Sequence, residues 1–463
     1  MWQCLVHLYD LCTKRVRSSS RVQIHHEGVD IATDDLYADP QSIFKLLRSS
    51  ADGSPPPVRA LKGSWLLQRA AQIRAATSDA EREQLALPRR QVLEMDEIEA
   101  FYTAEQVEAL PRGTDYGHFK NMLHFVSISH CWLTSEHPDP RGDTLLMIAD
   151  ALLRAQEQHV HRSDGSHYAL LPREVAVFYD WCSLCQKDEA GNRTPTEQAS
   201  FTAALSCMQI WYAHQSTTVF LMTKLPKGAL VHAYDSRGWP TFERLVSMLV
   251  KPARLEMWPR IVDAGSGVGD CTRLPPVTVD AFETLLRTKH FTNGADRGMV
   301  VDLYRQTAYS VLAGAWQLDY IGLGWGDDEV IGLCHWLPRC QRLKKIFLRN
   351  NPLIGDRGIQ EIVDVVKGGS LRQLEQLILA CDPDLGPTQV GASGMHALQQ
   401  VISSGALPSL QRISLTVSFS AMEKEHTMKQ NVKSMKHVCS ARSIQCKIIL
   451  LCVTGSQAKR IDP

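Results

Sequence analysis

His124-Phe125-Val126-Ser127-Ile128-Ser129-His130 sets an apolar run of strand length between two histidines, and the pattern downstream of it decides the architecture. Further short apolar runs stand at 176–179 and 218–222, separated by amphipathic stretches of helical length at 143–153, 197–212 and 241–250. Uninterrupted apolar strands alternating with helices are what a parallel sheet covered on both faces requires. The reading is a β-α-β-α-β-α unit over residues 116–262.

In such a sheet, ligands bind beyond the carboxyl ends of the strands. The first strand ends at Ser129, His130 and Trp132, the second at Asp180, Trp181 and Cys182, and the third at Thr223 and Lys224. Polar and aromatic residues therefore gather on one edge.

After the third strand comes Ser236-Arg237-Gly238-Trp239-Pro240-Thr241-Phe242-Glu243. Gly238 permits a tight turn, and Pro240 suits the first turn of a helix, where its missing donor costs nothing. Phe242, Leu245, Val246 and Leu249 then form a core-facing stripe. Glu243 lies about a hundred degrees around the helix from Phe242, at the border of the buried face. A carboxylate there is partly desolvated and still able to meet a ligand.

The stretch 116–262 resembles the Toll/interleukin-1 receptor (TIR) type of domain, whose sheet is flavodoxin-like. In members with NAD-cleaving activity a tryptophan precedes a catalytic glutamate by four positions at the start of this helix, as Trp239 precedes Glu243. The run 124–130 resembles the first TIR strand. Phe178-Tyr179-Asp180-Trp181-Cys182-Ser183-Leu184-Cys185-Gln186 resembles the second strand and its loop, in a form also similar to heterokaryon-incompatibility domains. The resemblance implies cleavage of the nicotinamide N-glycosidic bond, with NAD as substrate and no resident cofactor. Glu243 would stabilise the oxocarbenium-like state, as carboxylates do in glycoside hydrolysis. Trp239, Trp181 or Trp132 would stack on a ring, Arg237 would meet phosphate oxygens, and Ser129, His130 and Asp180 would line the same edge. For each, a plain structural role stands beside the functional one: a solvated carboxylate at a helix start, and tryptophans in the core.

A different period begins near residue 317. Leu343-x-x-Ile346-x-Leu348-x-x-Asn351-x-Leu353 resembles the leucine-rich-repeat template, followed by Gly355, Asp356, Gly358 and a helical pattern at Ile359, Ile362, Val363 and Val366. Partial copies start at Leu318, Leu374 and Leu410, unevenly spaced, with an insertion at 382–393. The resemblance is to the ribonuclease-inhibitor class and implies a short, irregular solenoid over 317–416.

The rest is less informative. Residues 1–115 read as a helical, partly disordered region, with helices expected at 64–76 and 96–110. Residues 263–316 read as a connector, and 417–463 as a poorly ordered tail. Fifty Lys and Arg balance fifty Asp and Glu, so no global field draws the chain to nucleic acid. No run reaches membrane-spanning length. Thirteen scattered cysteines, with no leader of secretory type at the start, point to free thiols and a cytoplasmic setting. Cys182-x-x-Cys185 has metal or redox spacing without a second pair, and His130, His137 and Asp139 read as coincidence, so no metal is expected. The run 261–269 is similar to the glycine-rich motif of S-adenosylmethionine-dependent methyltransferases but leads to no helix. No P-loop separates the two modules.

These readings point to two functions. One is a signalling or defence-type NAD hydrolase whose repeats bind a protein partner. The other is a non-catalytic adaptor that self-associates through the TIR-like domain into a homo-oligomer and binds protein through the repeats.

Overall fold

The computed structural model describes residues 36–50, 53–110, 123–157, 159–161, 167–169, 172–251, 261–265, 269–270, 273–385, 388–420, 425–454 and 457–461. Expectations for residues 1–35, for the boundary at 116 and for 266–268 lie outside these. The fold is mixed α/β, with two compact units, each built on a sheet that contains a continuous run of parallel strands. One unit takes Met1–Ser247, Trp258–Cys271 and Val279–Thr307, and the other Met248–Met257, Thr272–Thr278 and Ala308–Pro463.

The first unit holds β1 (Ala60–Lys62), β2 (Phe101–Tyr102), β3 (Phe125–Ser129), β4 (His159–His161), β5 (His167–Ala169), β6 (Ala176–Phe178), β7 (Thr218–Leu221), β8 (Ile261–Asp263) and β9 (Gly269–Asp270). Seven of them form one sheet in the order β2-β1-β6-β3-β7-β8-β9, while β4 and β5 pair separately. The centre, β6-β3-β7-β8, is wholly parallel, and β1, β2 and β9 join antiparallel at its edges. All five residues of β3 are buried, as a strand covered on both faces requires. Alternation splits them. Val126 and Ile128 pack with Leu145, Ile148 and Leu152 of the helix Asp143–Glu157 and with Leu66, Ala70 and Ile73 of the helix Gly63–Ala75. Phe125 stacks on Trp211, and the Ser127 hydroxyl donates to the Trp211 carbonyl at 2.6 Å. The helix Met208–Ala213 therefore covers the opposite face.

Residues 1–115 differ from their reading as a helical lead-in, because β1 and β2 belong to this sheet. The helix read at 96–110 is broken into a 3-10 turn at Ile98–Ala100, then β2, then the helix Ala104–Ala109. The segment 263–316, read as a connector, is divided between the units, with the helix Val279–Arg287 in the first.

The second unit carries β10 (Gln317–Asp319), β11 (Lys345–Phe347), β12 (Gln376–Leu379), β13 (Arg412–Ser420), β14 (Gln445–Thr454) and β15 (Gln457–Ile461), paired in that order. All neighbours are parallel except β14 and β15. Leu318, Ile346, Leu377, Ile413 and Cys446 lie in register across five strands. The helices Asp327–Cys334, Asp356–Lys367, Ala392–Ser403 and Glu425–Ala441 fall between successive strands.

Two side-chain devices join these strand–helix units. The buried Asn351 amide donates to the carbonyls of Tyr320 and Leu348 at 2.7 and 3.0 Å and accepts from the N–H groups of Leu323 and Trp325 at 2.9 and 3.1 Å. An aspartate in the first turn of one helix accepts from two N–H groups of the next turn. Asp327 Oδ1 meets Gly355 and Gly358 at 2.7 and 2.8 Å, and Asp356 Oδ1 meets Gly391 and Gly394 at 2.7 and 2.9 Å. A Cβ at Gly358 or Gly394 would lie 2.7 or 2.5 Å from that oxygen, so the carboxylate's approach demands glycine.

The described residues of 417–463 are not the poorly ordered tail that their charge suggests. β13 pairs with β14 along its whole length, and the helix Glu425–Ala441 buries Met428, Val432, Met435 and Cys439. Charged residues between these four hide the stripe. The apolar run at 448–453, too short for a bilayer, lies in β14. Among the described residues no helix is long and apolar enough to cross a membrane.

Candidate active site

The chain leaves β3 for β6 on one side and then crosses to β7 on the other. Strand order thus reverses between β3 and β7, and a crevice opens at such a point beyond the carboxyl ends of an α/β sheet. Ser129, the last residue of β3, stands there and is fully buried. With Phe125 and Ser127 it shares the face covered by the helix Met208–Ala213.

The helix Gly238–Ser247 brings Glu243 to this point. Its start is fixed by Gly238, whose N–H donates to the His290 carbonyl at 2.9 Å and whose missing Cβ would lie 2.0 Å from the Phe291 ring. Phe242 and Val246 are fully buried on the same helix. Glu243 is only 6% exposed, deeper than the border position its spacing implies. Its Oε2 accepts from Ser129 Oγ at 2.5 Å, and Ser129 Oγ lies 2.5 Å from Tyr234 Oη. Tyr234 Oη is in turn 3.4 Å from the Pro240 carbonyl.

A hydroxyl holds one proton, so this chain has a direction set by charge. With Glu243 ionised, Tyr234 donates to Ser129 and Ser129 to the carboxylate. With Glu243 protonated the relay reverses and ends at the Pro240 carbonyl. Burial raises the Glu243 carboxyl from 4.5 to about 7; Asp180 adds to this, while the hydrogen bonds from Ser129 and Tyr212 and the charge of His130 oppose it. Both protonation states are therefore populated near neutrality. A buried carboxyl so shifted, beyond the carboxyl end of a central parallel strand, has the marks of a functional group.

A second cluster stands at the ends of β3 and β6. Asp180 Oδ1 lies 2.9 Å from His130 Nε2 and accepts from the Trp181 N–H at 2.7 Å, while Oδ2 accepts from Trp132 Nε1 at 2.9 Å. Burial works against ionisation of both groups. The pairing outweighs it, raising the His130 pKa and lowering that of Asp180. The His130 ring stacks on Tyr179, centroids 4.5 Å apart.

The structure thus brings together Glu243, Ser129, His130 and Asp180, with Trp132 half-exposed beside them. It does not bring Trp239 there. That indole donates to Asp296 Oδ2 at 3.0 Å and meets Phe242 edge-on. Trp181 is buried, with its Nε1 donating to the Leu87 carbonyl at 2.8 Å. Its tie to Leu87 is structural, though Trp132 packs edge-on against it. Arg237 is held by Thr292 Oγ1 at 3.0 Å, and its charge is felt by Cys131, next to His130.

Tyr234 and Tyr212 were not legible as site residues. One lies in a 3-10 turn and the other on a buried helix; the spacing of 197–212 marks a helix, and neither residue sits in a motif that marks a site. The CxxC thiols point to separate partners, Cys182 to the Pro88 carbonyl at 3.3 Å and Cys185 to Ser200 Oγ at 3.7 Å. His137 lies 3.0 Å from the Leu87 carbonyl, and Asp139 caps the helix Asp143–Glu157 through the N–H groups of Thr144 and Leu145. The Asp139 N–H donates to His137 Nδ1 at 2.9 Å, while His130 pairs with Asp180 instead. After the glycine run, β9 pairs back on β8, and the next helix among the described residues is Val279–Arg287.

Comparison with protein-family models and with curated proteins returns no match for this chain.

Proposed function

We propose that the first unit is a TIR-like NAD hydrolase that cleaves the nicotinamide N-glycosidic bond, with Glu243 as the carboxylate beside the ribose. The observation that carries this reading is the place of Glu243, desolvated and hydrogen-bonded to Ser129 where the strand order reverses. The central order β6-β3-β7-β8 supports a flavodoxin-like unit, since it corresponds to 2-1-3-4 in that fold. As nicotinamide leaves, positive charge develops on the ribose, and an ionised Glu243 in a low-dielectric site stabilises it more than water would. Water then adds to the ribose carbon, giving ADP-ribose and a proton. Trp132, pinned by Asp180 yet half-exposed, is the ring best placed to stack on the substrate. Arg237 is the nearby guanidinium for phosphate. Trp239 has a structural role in this reading.

The second unit is proposed as a leucine-rich-repeat solenoid of ribonuclease-inhibitor type that binds a protein partner. Its strand–helix alternation and the recurring aspartate–glycine joints support this.

The experiment is nicotinamide release by the intact chain, compared with Glu243→Gln. A loss of about a hundredfold or more with the fold retained is expected. Release that survives the substitution removes Glu243 from the reaction. A specific observation favours the alternative, a self-associating adaptor: at 6% exposure the carboxyl presents little surface to a ligand. No release under conditions that promote self-association decides for the adaptor.

A further inference from the structure

The helix Glu425–Ala441 and β14 meet in a short reversal. The Ile444 N–H donates to the Cys439 carbonyl at 2.8 Å, and Ser443 takes a φ of 57°, a helix ending that folds the chain back. Two periodicities then bring two thiols face to face. On the helix the buried residues are Met428, Val432, Met435 and Cys439, three or four positions apart. Beyond the turn, Ile444, Cys446 and Ile448 share one face of the extended chain, and both isoleucines are buried.

Cys439 is fully buried and Cys446 half-buried, and both are free. Cys446 stands in register with the buried Ile413 of β13, on the side of the sheet that the helix covers, and the two thiols influence each other's proton affinity. Cys446 also lines a cavity of about 480 Å³ with Lys436, Ser440, Ser443, Ile444 and Gln445. The neighbouring Cys439 thiol lowers the Cys446 pKa from 9.0 despite burial, and Lys436 lowers it further. The Cys439 thiol is raised by its neighbour Cys446 and by burial. Burial instead raises Cys182, Cys185, Cys334, Cys340 and Cys381. A depressed thiolate with access, beside a second thiol, is the arrangement of redox-sensing cysteines.

We propose that Cys446 and Cys439 form an oxidant-responsive dithiol, in which a hydroperoxide entering the cavity oxidises Cys446 and Cys439 then closes a disulfide. The Cys446 thiolate attacks the terminal peroxide oxygen and the O–O bond breaks. The hydroperoxide is reduced to its alcohol, or to water, and Cys446 becomes a sulfenic acid. The Cys439 sulfur displaces the sulfenic oxygen, which takes the Cys439 proton and leaves as water. Two thiols and one hydroperoxide thus give one disulfide, one alcohol and one water. This inference is independent of the role of Glu243.

The test treats the intact chain with hydrogen peroxide at pH 7, traps sulfenic acid with dimedone and maps peptides by mass spectrometry. In the native chain, Cys446 is expected to react about tenfold faster than Cys207 or Cys452, the other half-buried thiols among the described residues, and to appear as a disulfide with Cys439. In Cys439→Ser the reaction stops at a dimedone adduct on Cys446, with Cys439→Ala as a second variant should the serine be poorly accommodated. Equal rates at the three cysteines overturn the proposal. So does a dimedone adduct on Cys446 as abundant in the native chain as in both variants.

Discussion

Replacing Glu243 with glutamine should stabilise the first unit at alkaline pH and leave its stability at acid pH almost unchanged. The folded chain holds the carboxyl at about 7 against an ordinary 4.5, and that difference corresponds to about 3 kcal/mol. Below pH 4.5 both folded and unfolded states keep the proton, so the carboxyl imposes no penalty. Between 4.5 and 7 the unfolded chain releases its proton while the folded one retains it. Stability is therefore lost as pH rises through this window, and the loss is complete above 7. Glutamine has the same shape, still accepts from Ser129 and never ionises, so the variant escapes the loss. The assay is urea denaturation of both proteins from pH 4 to 8.5, followed by the protection of β3 and β7 peptides against hydrogen exchange, which isolates the first unit's transition. The His130–Asp180 pair titrates next to the same carboxyl, so the signal is the difference between the two proteins. A difference that opens by about 3 kcal/mol between pH 4.5 and 8 is expected. One that stays flat to within about 0.5 kcal/mol means that Glu243 titrates as a surface carboxylate and is not held as described.

Ser129→Ala removes the 2.5 Å donor that favours the ionised form of Glu243, so the pH at which nicotinamide release reaches half its plateau should move upward; an unmoved or lowered midpoint contradicts the relay. Asn351→Ala strips four backbone groups, three of them in buried bonds, of their partner and should destabilise the second unit by about 3 kcal/mol or more. Circular-dichroism melting reads this, and a melting temperature within about 2 °C of the native value refutes it.

The parallel centre of the first sheet was legible because β3, β6 and β7 bury every residue, and continuous apolar runs of that length show in a sequence without partners. β1 and β2 were not. Three and two residues carry no period, and their strand character comes from pairing with β6 and with each other across long separations. In the second unit Asn351 and the Gly355-Asp356-x-Gly358 turn marked one strand–helix unit clearly. The last strand–helix unit was lost because its helix spreads its four buried apolar residues among lysines, glutamine and histidines, and because Cys446 and Lys447 interrupt the start of β14. Local spacing identifies an element when its buried stripe is rich. It fails when register with a neighbouring strand supplies the stability.

The site shows the same limit more sharply. Helical spacing fixes the azimuth of Glu243 relative to Phe242, yet not the group that stands opposite; Ser129, 114 positions away, converts a border carboxyl into a buried one. Trp239 lies on nearly the same face as Glu243, four positions earlier, but in the first turn side chains lean toward the helix start, and its ring reaches Asp296 instead. Sharing a helix face is therefore not sharing a site. What ties Glu243 to the β3 edge is the hydroxyl chain through Ser129 and Tyr234, together with the burial that raises its proton affinity. The free-energy cost of ionising Glu243 in the folded chain and its readiness to act near neutral pH are the same quantity, measured once as stability and once as a pH profile. If both curves bend at the same pH, one carboxyl governs both. If only stability bends, Glu243 is a strained core residue, and any chemistry resides in the His130–Asp180–Trp132 cluster.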